Sequence, residues 1–80
     1  YTIVHEYGEP VRVYHIDLYR LDTVDQVRAI GLEELIERDA LLLIEWGERF
    51  PELLPDRRIE VRLRATDDDV RTIGIENKCC

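Results

Sequence analysis

The stretch Ala40-Leu41-Leu42-Leu43-Ile44-Glu45-Trp46-Gly47 decides the fold of this 80-residue chain. A continuous apolar run over residues 40–44 stops abruptly at an acid, an aromatic and a glycine. Its length and flanks fit a strand buried on both faces, the mark of a parallel sheet, better than a helix. Just upstream, Leu32, Leu35 and Ile36 fall at i, i+3 and i+4 with Glu33, Glu34 and Glu37 outward, which predicts a short helix. Before it, Thr23-x-x-Gln26 has the form of a capping box, in which each side chain satisfies a backbone N–H at a helix start. Val24, Val27 and Arg28 continue that helix, and Gly31 suits the left-handed stop at its end.

Further outward, residues 2–7 are β-branched and aromatic, Gly8-Glu9-Pro10 supplies a turn, and Val11 to Tyr19 resumes strand composition. In that second strand Val11, Val13, His15 and Asp17 share one face, and Tyr14, Ile16 and Leu18 the other. Both faces are partly apolar, as in a covered sheet. Downstream, Glu48 to Leu54 reads as a short helical turn bounded by Pro51 and Pro55. From Arg58 to Ala65 the pattern alternates, with Ile59, Val61, Leu63 and Ala65 expected to face in and Glu60, Arg62 and Arg64 out. The acidic tip Asp67-Asp68-Asp69 leads into a closing strand from Val70 to Glu76. The expected architecture is α/β with antiparallel hairpin additions at its edges and two or three short helices. Residues 1–76 read as one domain and residues 77–80 as a tail. The chain opens on strand-like sequence, Tyr1-Thr2-Ile3-Val4, without an initiating Met, so a segment entered midway is expected.

Composition narrows the function. Apolar residues make up 45% of the chain, which argues against general disorder. The net charge is −7, and such a surface repels a phosphate backbone; direct nucleic-acid binding is not expected. There is no apolar run of about 18 residues for a membrane span, and no basic-then-apolar leader. The cysteines, Cys79 and Cys80, are adjacent at the end of the chain, too close for an ordinary bridge and without zinc-ligand spacing. A core free of cysteine suits a cytoplasmic setting.

Two acids end apolar strands: Asp17 after Ile16, and Glu45 after Ile44. In open α/β sheets the ligand crevice lies beyond the carboxyl ends of parallel strands. Carboxylates there can hold a hydrated Mg²⁺ or polarise a water; equally, each could be solvated or paired with an arginine such as Arg20. Trp46 is by itself an ordinary core or rim anchor. His15 reads as a partly buried structural histidine, His5 more weakly so, and the Asp67–Asp69 run as solvated loop. The four glycines are scattered; neither GxxxxGK[ST] nor GxGxxG occurs, and with no serine anywhere a serine nucleophile is excluded. A small acidic interaction module without chemistry is the alternative reading. A two-carboxylate hydrolase has less behind it, since no sugar platform accompanies the acids.

The blocks YTIVHEY, VYHIDLYRL, IGLEELI and LLIEWGERFPELLP, in that order and spacing, resemble the TsaE (YjeE) family of bacterial P-loop ATPases. The resemblance runs from Tyr1 to about Val61; beyond Arg64 it is that of a generic hairpin. It implies part of a P-loop NTPase-like sheet, the C-terminal part of the domain. It also implies a role in forming threonylcarbamoyladenosine at tRNA position 37 together with TsaB and TsaD. On this resemblance Thr2 belongs to the second half of a switch-like segment near the nucleotide. Asp17 is the acid of the DLYRL block that serves an Mg²⁺–nucleotide site, Glu45 an Mg²⁺-linked catalytic acid, and Trp46 its neighbour near the nucleotide. Gly47 stands where many relatives have Pro, which bears on loop stiffness. Mg²⁺ with ATP or ADP is the implied cofactor of the full-length family. This chain, lacking the Walker A Lys, is expected to bind none alone and to be inactive by itself. An apolar sheet face left open is expected to favour self-association.

Overall fold

The computed structural model describes residues 3–78. The elements are β1 (Val4–Tyr7), β2 (Val13–Asp17), α1 (Val24–Ala29), α2 (Leu32–Ile36), β3 (Leu41–Glu45), two 3₁₀ turns (Gly47–Arg49 and Pro51–Leu53), β4 (Arg58–Ala65) and β5 (Arg71–Lys78). The order matches the sequence reading, with 3₁₀ turns where Pro51 cuts the helical segment short. Strands β1, β2 and β3 form one sheet in that order, β1 antiparallel and β3 parallel to β2. Strands β4 and β5 form a separate two-stranded antiparallel sheet. Among the described residues no helix is long and apolar enough to cross a membrane.

The parallel pairing of β2 with β3 needs a crossover, and α1 and α2 supply it. Helix α1 begins with the capping box: Thr23 Oγ1 accepts from the Gln26 amide, and Gln26 Oε1 accepts from the Thr23 amide at 3.1 Å. A cap of this kind contributes about 1 kcal/mol, a useful amount for a helix of only six residues. Gly31, at φ 84°, lets the chain leave α1 and re-enter a helix at once. Val27, Leu32 and Leu35 then face Tyr14 and Ile16 of β2 and Leu18 just beyond it, and Phe50 and Leu53 close the core. Tyr14 keeps a partner for its hydroxyl: Arg38 Nη1 donates to it at 2.8 Å.

Two burial expectations fail. Residues 40–44 are not buried on both faces. Leu42 and Ile44 pack against the core, whereas Leu41 and Leu43 are 58% and 50% exposed. The reason is the register: Leu41, Leu43 and Glu45 share a face with Val13, His15 and Asp17, and both helices lie on the other side. For the same reason β2 has one covered face, that of Tyr14 and Ile16, and one half-open face. Likewise Ile59, Val61 and Leu63 alternate as expected but do not face in. With Ile73 and Ile75 across the hairpin they form an exposed aliphatic strip. Strand β5 also continues through Asn77 and Lys78, into what the sequence reading assigned to a tail.

The hairpin's other face is a charge network. Glu60 lies 2.7 Å from Arg58, 3.2 Å from Arg62 and 3.9 Å from Lys78. The hydrogen bond from Arg58 holds its carboxyl below the usual carboxylate range, against the opposing effect of partial burial and with help from Lys78, Arg58 and Arg62. A lowered folded-state value means that this contribution is present above the ordinary carboxylate range and is lost as pH falls through the lowered value.

Candidate functional site

Strands β2 and β3 run the same way and end together, so the acids that follow their apolar runs end together too. Asp17 and Glu45 are directly opposed in the register. Adjacent strands lie about 4.8 Å apart, which sets the two side chains side by side at the carboxyl end of the sheet. One further ladder bond, from the Leu18 amide to the Glu45 carbonyl at 3.1 Å, fixes that register beyond the acids. Leu18, fully buried, anchors the chain where it leaves β2.

Each acid has one oxygen tied to the chain itself. Asp17 Oδ1 accepts from the Tyr19 amide at 3.0 Å, a local turn of the kind Asp favours. Glu45 Oε2 lies 3.0 Å from His15 Nε2. His15 sits two residues before Asp17 on the same face, and its ring stacks on His5, its cross-strand partner, at 6.0 Å between centroids. A carboxylate only accepts, so Nε2 is assigned as the protonated ring nitrogen.

The segments after the two strands are also tied together. Arg49 Nη1 donates to the Tyr19 carbonyl at 2.7 Å, and Nη2 lies 3.6 Å from Asp22. The rings of Tyr19 and Trp46 meet at 5.0 Å, tilted by 53°. Trp46 has φ 65°, in the left-handed region that few non-glycine residues adopt and that recurs at functional sites. That conformation turns the chain from β3 straight into the 3₁₀ turn at Gly47. There a Cβ would lie 3.2 Å from Ile44 Cγ2 and Leu54 Cδ2, so the turn packs closely on the strand it follows.

The structure thus brings together Asp17, Glu45 and Trp46; Thr2 lies outside the described residues. It adds Tyr19, Arg49 and His15 to the neighbourhood. Tyr19 is signalled in the sequence by standing two residues beyond Asp17. Arg49 and His15 reach partners 30 residues away, for which the sequence carries no local signal. Among the described residues no group of three or more His, Cys, Asp or Glu side chains could hold a metal ion by itself. The donor set is nevertheless suited to Mg²⁺, which binds through one or two carboxylates and completes its shell with waters and phosphate oxygens.

A family model described as threonylcarbamoyl adenosine biosynthesis protein TsaE matches residues 1–73. The chain is 40% identical over 79 residues to the tRNA threonylcarbamoyladenosine biosynthesis protein TsaE of Rickettsia bellii (strain RML369-C), a match covering 98% of this chain and 54% of that protein. It is 34% identical over 74 residues to the protein of the same name from Bacillus subtilis (strain 168), covering 91% and 46%. Among solved structures, the crystal structure of Bacillus subtilis YdiB superposes with a TM-score of 0.77 at 30% identity, covering 99% of this chain and 49% of that one. The chain spans about half the length of the curated relatives it matches.

Proposed function

The chain belongs to the TsaE family, and on that premise we propose that it forms the acid-bearing side of an Mg²⁺–ATP site serving threonylcarbamoyladenosine synthesis on tRNA. The observation that carries this reading is the in-register placement of Asp17 and Glu45 at the ends of two parallel strands. In this reading both acids hold the cation, which when bound would neutralise charge on the nucleotide phosphates. Glu45, more than half exposed, is also placed to accept a proton from a water at the strand end. Trp46 and Tyr19 offer an aromatic edge beside the acids, and Arg49 keeps that edge fixed to the segment after β2. The modified nucleoside is adenosine 37, and TsaB and TsaD are the partners.

A chimera tests the reading. This chain replaces the half of the Bacillus subtilis TsaE relative that it matches, in cells depleted of their own protein. Threonylcarbamoyladenosine in their tRNA, measured by mass spectrometry, is expected to return to at least half its normal level. A soluble, folded chimera that leaves the modification at background would overturn the assignment.

The exposed strip of Ile59, Val61, Leu63, Ile73 and Ile75 favours a second role in association. Sedimentation velocity on the 80-residue chain is expected to show an average mass that rises with concentration. Substituting both register partners, Leu63→Lys with Ile73→Lys, is expected to return it to monomer. A wild-type chain that stays monomeric at every concentration would rule this out.

A further inference from the structure

We infer that His15 is a positioning residue for the candidate cation site: it holds the Glu45 carboxylate in the orientation that lets it act together with Asp17. This inference rests on the reading of Asp17 and Glu45 given above.

A glutamate side chain at a strand end is free to turn. Glu45 is the last residue of β3, its side chain is 55% exposed, and it has one more rotatable bond than an aspartate. An unrestrained Glu at a strand end samples many rotamers, and fixing it opposes binding by the rotamer freedom lost. Asp17 is restrained locally, by the amide of Tyr19. Glu45 is restrained instead across the strands. His15 pairs with Leu43 in the register, so Glu45 is its diagonal neighbour on the same face, within reach of a long side chain. The 3.0 Å contact takes Oε2 and so sets the direction of the whole carboxylate.

His15 is itself held. Its backbone is central in the sheet, between β1 and β3, and its ring stacks on that of His5 at an interplanar angle of 28°. Only about a third of its side chain is exposed, against more than half for Glu45. The ordering therefore runs from the better-fixed imidazole to the mobile acid. The bond requires an N–H at Nε2 and nothing else of the ring, so an amide donor of similar reach could replace it, whereas an isosteric hydrocarbon ring could not.

The test uses the chimera with the Bacillus subtilis relative, with Mn²⁺ and ADP as probe, followed by paramagnetic broadening of its amide NMR signals, together with the ring-nitrogen shifts of His15. Wild type is expected to show the Nε2–H form of His15, and Glu45→Ala to lose that preference. Mn²⁺ is expected to broaden residues 17–19 and 45–47, with apparent affinity reduced about threefold or more in His15→Phe and restored to within about twofold in His15→Gln. Asp17→Asn and Glu45→Gln report separately on the site. If neither changes the broadening, the cation reading fails. If both weaken it while His15→Phe does not, the cation site stands and the role of His15 is overturned. Should His15→Phe fail to fold, the Nε2–H preference of wild type and its loss in Glu45→Ala decide the matter. A wild-type ring protonated only at Nδ1 overturns the inference.

Discussion

Changing Glu45 to Gln in the chimera with the Bacillus subtilis relative is expected to lower ATP hydrolysis by about 10²-fold or more, the usual scale for losing a group that handles a transferring proton or a catalytic cation. The substitution keeps size and hydrogen-bonding reach and removes the charge, so folding should be little affected at a position more than half exposed. Asp17→Asn is expected to fall comparably. The informative measurement is the double variant. Two acids that hold one ion act as a unit, and units lose their function once. Turnover of Asp17→Asn with Glu45→Gln should therefore lie within about tenfold of the worse single variant. Full multiplication of the two losses would show independent roles. Unchanged turnover in both single variants would return the acids to simple solvated surface.

Ile16→Ala is expected to unfold the isolated chain at room temperature or leave it only partly folded. Ile16 is fully buried in β2, the middle strand of its sheet, and packs in the core with residues of the two helices. Truncations of this kind cost about 2–5 kcal/mol. Net stabilities are about 5–15 kcal/mol, with small domains at the low end, and among the described residues the core contains eight buried hydrophobic side chains. The control is Leu63→Ala on the hairpin, also a large aliphatic but 73% exposed, which should change stability by no more than about 0.5 kcal/mol. Urea unfolding followed by circular dichroism measures both. A cooperative Ile16→Ala transition at the wild-type midpoint would show that the core is organised around other residues.

Much of the fold was legible because its signals are local. The Thr23–Gln26 box, the Gly31 stop and the 32-35-36 spacing each specify their own geometry within one or two turns, and all three are found as read. The acid pair was legible through a non-local rule, that parallel strands end together, applied to two local patterns. What failed was burial. Alternation in β4 tells which side chains share a face, and continuity in β3 tells that both faces are apolar; neither says whether anything lies against them. Leu41 and Leu63 are therefore correctly placed by the sequence in facing and wrongly placed in environment. The left-handed backbone at Trp46 was illegible for a different reason: its side chain disfavours the conformation, and tertiary contacts impose it. Arg49 and His15 belong to the same class. Their partners are fixed by topology, 30 residues away, and no pattern at either residue announces them.

The tilted contact between Tyr19 and Trp46 has an optical consequence. At 5.0 Å between ring centroids, excitation absorbed by Tyr19 passes to the indole with little loss, and Trp46 is the chain's single tryptophan. Tyr19 follows the first acid and Trp46 follows the second. The share of tyrosine excitation that emerges as indole emission therefore measures, without any attached dye, how closely the segments leaving the two parallel strands stay together. The other tyrosines add a background that substitution of Tyr19 alone would define. The strand-end region thus carries its own ruler, calibrated by a pair of residues next to the carboxylates.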